Sequence, residues 1–206
     1  QVLSALAYAH FHAVMHRHIT PENIILTPEG MAKLTGFDLA KGLKDKKLTD
    51  VGIIMGDARY ISPEQVKGLQ VFDIRSDIYS LGVVLYEAVT GVLPFESKSQ
   101  FELMWGHVNS IPAPPSRINS SLPSGLDSII LKALEKQPEK RHQSSDEFRA
   151  AIAGVMGTAL SAGGRRPIAE PRHPATFPER LPPTLWRPLF AERPSAHKVT
   201  IVATLL

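Results

Sequence analysis

The sequence contains no cysteine, which excludes a disulfide scaffold, a thiolate metal site and a cysteine nucleophile. It has no apolar run near the roughly 20 residues a membrane-spanning helix requires. Excess charge is also scarce. The net charge is +3, and residues 157–206 carry seven Lys/Arg against three Glu, so the basic balance belongs to the last quarter of the chain. The body therefore offers no basic face for nucleic acid. The chain lacks an initiating Met and opens at Gln1 directly on a helical pattern, so an upstream segment is expected.

Hydrophobic residues make up 43% of the chain and charged residues 21%, ordinary values for a packed soluble domain. Val2, Leu3, Leu6 and Ala9 predict an amphipathic helix ending near 11–13. The loop His16–Asn23 follows, then Ile24-Ile25-Leu26 and Met31–Leu34 as two strands around Thr27-Pro28-Glu29-Gly30. Residues 36–62 read as a long functional loop. Ile78, Leu81, Leu85 and Val89 predict a buried central helix stopped by Gly91. Ser99/Glu102 and Ser144/Glu147 have capping-box spacing, and Leu126–Leu134 carries a helical stripe between them. The last predicted helix ends near Val155. Residues 157–195 hold eight prolines and read as a disordered linker leading to the apolar run Val199–Leu206. The domains are thus 1–155 and a Pro/Arg-rich tail, 156–206.

In order, these loops resemble the C-terminal lobe of a bacterial eukaryotic-like serine/threonine protein kinase. His16-Arg17-His18-Ile19-Thr20-Pro21-Glu22-Asn23 stands where the family has its H-R-D catalytic loop, and Gly36-Phe37-Asp38 where it has D-F-G. Ser62-Pro63-Glu64 resembles A-P-E. Asp77-Ile78-Tyr79-Ser80-Leu81-Gly82 resembles the central-helix motif, and Arg141 the late arginine. The resemblance implies an α+β, mainly α fold, a helical lobe with a short β-hairpin and no N-lobe in this chain. It also implies structural roles for five residues. His16 and Phe37 would stack, Glu64 and Arg141 would form a buried ion pair, and Asp77 would hold the catalytic-loop backbone.

The chemical residues depart from the family. Phosphoryl transfer needs a carboxylate to orient the hydroxyl, positive charge on the phosphate and a metal-binding acid. At those three positions stand His18, Thr20 and Gly36, and Asp57 stands at the threonine of G-T-x-x-Y. Asn23 alone is retained, and Asp38 is the one carboxylate that could compensate beside it at a metal. Ile25 resembles the floor under the adenine. ATP and Mg belong to the family; none is expected for this chain.

The four histidines 10, 12, 16 and 18 lack a complete ligand pattern for zinc. Phe101 and Trp105 are read as core, with a partner surface as the alternative, and Thr49 is the clearest phosphoacceptor of the activation segment. The leading expectation is a degenerate, inactive kinase lobe in the cytoplasm, binding a protein partner or an N-lobe. The alternatives are an active kinase with substitute residues and an upstream N-lobe, and a non-functional gene fragment. Membrane attachment follows only if Val199–Leu206 continues as a spanning helix behind Arg187, Arg193 and Lys198.

Overall fold

The computed structural model describes residues 1–42, 57–69, 73–123, 125–162 and 187–188. Thr49 and Val199–Leu206 lie outside them, as does most of the proline-rich linker. The fold is α+β and mainly helical. The chain order is α1 (Val2–Phe11), β1 (Val14–Met15), β2 (Ile24–Leu26), β3 (Ala32–Leu34), β4 (Lys41–Gly42), α2 (Pro63–Val66), α3 (Arg75–Thr90), α4 (Gln100–Asn109), α5 (Leu126–Ala133), α6 (Ser145–Ala162) and β5 (Arg187–Pro188).

Helix α3 is the axis of the lobe. Ile78, Tyr79, Val83, Val84 and Val89 are wholly buried, as expected of a strongly apolar helix. Gly82 lets α5 come close: a Cβ there would lie 2.8 Å from the Ala133 Cβ. Helices α1 and α6 pack along the other side of the core, with Leu3, Leu6, Phe148 and Ile152 buried.

The predicted hairpin forms with Ile24 opposite Leu34 and Leu26 opposite Ala32, and β1 pairs separately with β4. Beyond the hairpin, Thr35 N–H donates to the Asn23 carbonyl at 2.8 Å. This extra rung sets residue 36 against the side chain of Asn23.

Three expectations are corrected. Phe101 and Trp105 are 72% and 54% exposed, because α4 turns Leu103, Gly106 and His107 inward instead. Helix α6 runs to Ala162, past the expected end near Val155, so the start of the assigned tail is helical. Both capping boxes are half-formed. Ser99 and Ser144 accept the backbone N–H groups of Glu102 and Glu147, but the glutamates turn to Ser97 Oγ and Gln143 N. A reciprocal box forms at α2 instead, between Ser62 and Gln65.

Candidate functional site

The loop His16–Asn23 is held from below by one carboxylate. Asp77, 1% exposed, accepts from His16 N–H at 2.9 Å and from Arg17 N–H at 2.8 Å. It also accepts from His10 Nε2–H at 2.9 Å, and His10 Nδ1 accepts the Ser145 hydroxyl at 3.1 Å. Helix α6 thus supports α1, α1 supports Asp77, and Asp77 fixes the loop. The arrangement holds Arg17 at φ 66, a left-handed backbone that costs a non-glycine residue about 1–2 kcal/mol. Sequence reasoning missed His10; its only signal was a polar residue beside the apolar face of α1.

His16 is fully buried and packs edge-on to Phe37, with ring centroids 4.5 Å apart. Its Nε2–H donates to Thr35 O at 2.7 Å, and Nδ1 accepts from His18 N–H at 3.3 Å. Burial holds its pKa below the ordinary histidine value, which matches a neutral ring with one donating and one accepting nitrogen. His12 lies apart from it, exposed against Tyr8. No group of three metal-ligating side chains occurs among the described residues.

The expected ion pair is present and closed. Arg141 Nη1 and Nη2 each reach a Glu64 oxygen at 2.7 Å, and the remaining guanidinium N–H groups reach the carbonyls of Arg75, Glu135 and Lys136. Ser76 Oγ donates to Glu64 as well, at 2.6 Å. Burial alone would raise the Glu64 pKa; Arg141 and Ser76 hold it below the ordinary glutamate value.

The residues of the chemistry gather above this scaffold. His18 and Thr20 line one small cleft with Arg17, Asp57, Tyr60 and Gln65. Gln65 Nε2–H donates to Arg17 O at 3.3 Å, tying α2 to the loop. The Asp57 carboxylate is engaged: Arg59 grips it through N, Nε and Nη2, and Arg59 also lies 3.6 Å from Glu22. Burial works to raise the Asp57 pKa, but the Arg59 contacts prevail and keep it low.

Asn23 has turned inward. Its Nδ2 donates to His18 O at 2.9 Å and contacts His18 Nδ1 at 3.4 Å. Gly36 sits at φ 77, and a Cβ there would lie 2.3 Å from Asn23 Oδ1. The Asn23 amide fills the space where a side chain at 36 would begin. Asp38 is exposed, on the short 3₁₀ turn Phe37–Leu39. Ile25, half-buried, occupies the middle strand of the order β3-β2-β5.

Residues 1–150 match the protein kinase domain family. The chain belongs to that family. It is 42% identical over 148 residues to a probable serine/threonine-protein kinase of Clostridium perfringens, covering 72% of this chain and 22% of that protein. It is 40% identical over 153 residues to serine/threonine-protein kinase PknB of Mycobacterium tuberculosis, covering 73% and 24%. A probable serine/threonine-protein kinase of Streptomyces coelicolor is 39% identical over 176 residues, covering 79% and 26%. The chain spans about a quarter of the length of these relatives.

Kinases of the family use ATP and Mg²⁺, and the residues present here do not fit the metal. Mg²⁺ demands oxygen ligands in near-octahedral order. Gly36 offers no side-chain ligand, which leaves Asn23 Oδ1 as the one oxygen of the family pair, the bond to His18 O using Nδ2. No helix among the described residues is long and apolar enough to cross a membrane.

Proposed function

We propose that this chain is the helical half of a serine/threonine kinase fold that no longer transfers phosphate and acts, from the cytoplasmic side, by presenting its scaffold to a protein partner. One observation carries the reading. The Asn23 amide fills the space beside Gly36 where the family's metal-binding carboxylate would begin, so a single amide oxygen stands in place of the acid–amide pair. Thr20 adds no positive charge, and the Asp57 carboxylate is neutralised by Arg59.

The test is phosphotransfer to the chain itself and to a generic acceptor, with ATP and Mg²⁺ or Mn²⁺. The expected rate equals that of an Asn23→Ala control. Transfer above the control overturns the reading.

A second reading, an active kinase with substitute residues and an upstream ATP-binding half, draws on the completeness of the scaffold. His16 stacks on Phe37, Asp77 accepts from the loop backbone, and Glu64 pairs with Arg141, which supports this reading. An upstream Gly-rich loop and strand lysine in the gene would favour nucleotide binding; their absence would favour a gene fragment.

A further inference from the structure

Strand β2 has partners on both edges. On one side lies β3, as in the predicted hairpin; on the other lies β5, with Ile25 opposite Pro188 and Leu26 opposite Arg187, antiparallel. The second partner comes from far along the chain, within Leu185-Trp186-Arg187-Pro188-Leu189-Phe190, where apolar residues flank Arg187 in an otherwise Pro- and Arg-rich tail. A hairpin of two three-residue strands is marginal in water, and a third strand supplies the pairing it lacks. Proline is tolerated in such a strand only at an edge, which is where Pro188 lies.

We propose that the tail docks on its own kinase lobe by strand addition, Arg187–Pro188 capping the open edge of β2 beside Ile25. The partner of this edge is then a segment of the same chain. This goes beyond the loss of phosphotransfer and is independent of it. The recognition is by main chain, and because Pro188 has no N–H, Arg187 holds the only backbone donor of the two-residue strand. The requirement therefore falls on the N–H of residue 187.

The absence of native cysteine gives a clean test. Residues directly opposite in an antiparallel pair have Cα atoms about 4.5–5.5 Å apart, inside the range a disulfide bridges. In the full chain, Leu26→Cys with Arg187→Cys is expected to cross-link within one molecule under mild oxidation, about tenfold faster than Leu26→Cys with Ser195→Cys. Equal rates, or cross-links mainly between two molecules, overturn the proposal. Because Leu26 packs against the core, amide exchange supplies a second reading without touching it. Arg187→Pro should raise exchange at Leu26 by about tenfold or more, while Arg187→Ala leaves it at the wild-type level. Unchanged exchange in Arg187→Pro, or equal loss of protection in both variants, overturns it.

Discussion

Replacing Arg141 with methionine should be the most damaging single change outside the loop. All five guanidinium N–H groups are used: two on Glu64 and three on the carbonyls of Arg75, Glu135 and Lys136. Methionine keeps much of the volume and none of the donors. Glu64, 5% exposed, would keep its charge with only Ser76 as a side-chain partner. Removing one member of a buried pair costs about 3–5 kcal/mol. For a chain of this size that lowers Tm by about 6–20 °C, at about 2–4 °C per kcal/mol. Urea unfolding followed by circular dichroism would measure it. The pH dependence adds a signature with a definite sign. In the wild type, the Glu64 pKa is depressed, so its contribution is full above the ordinary glutamate pKa and fades as pH falls through the folded value. In Arg141→Met, burial is left to raise that pKa, so the Glu64 contribution reverses: stability recovers as pH falls and the carboxyl protonates. A loss under about 1 kcal/mol, with an unchanged acid limb, would refute the reasoning, since that is the scale of an exposed pair.

Gly36→Ala should destabilise the lobe by about 1–3 kcal/mol, from a left-handed backbone and the Asn23 collision together; adding Asn23→Ala should recover part of the loss, and a strictly additive double mutant would contradict the collision. His107 is fully buried, and burial with nearby Lys136 lowers its pKa to about 4. Its neutral ring supports the fold fully above its ordinary pKa of 6.5, and the support is lost as pH falls from there towards 4, by about 3 kcal/mol in all. His107→Gln should flatten that part of the stability–pH curve, and an unchanged slope would show that other groups set it. Trp105→Ser should change stability by less than about 0.5 kcal/mol, because α4 exposes that residue; a loss of about 2 kcal/mol or more would place it back in the core.

What the sequence made legible was set by spacing and by local pattern. The stripes through Leu3, Leu6, Ile78 and Leu85 defined buried faces, and the motif order placed Glu64, Asp77 and Arg141 where their contacts occur. Phe101 and Trp105 show the limit. Their spacing of four marks one face of α4, but only the packing of His107 against Phe95 and Tyr79 decides which face turns inward. The turn of Asn23 towards His18 was equally hidden. It depends on the extra hairpin rung at Thr35 and on the missing Cβ of Gly36, a three-dimensional coincidence that no linear motif displays. His10 and the Ser62–Gln65 box are small polar contacts that become visible only once α1, α2 and α3 are placed.

The loss of chemistry is tested most directly by supplying what this chain does not carry. Residues 1–162 would be joined behind the ATP-binding half of an active bacterial relative, once as they stand and once with His18→Asp, Thr20→Lys, Gly36→Asp and Asp38→Gly together. Transfer of labelled phosphate from ATP to a protein acceptor is then measured in both. No transfer above an Asn23→Ala control is expected from the unaltered fusion, and measurable transfer is expected from the restored one. Phosphotransfer by the unaltered fusion would contradict the loss of chemistry.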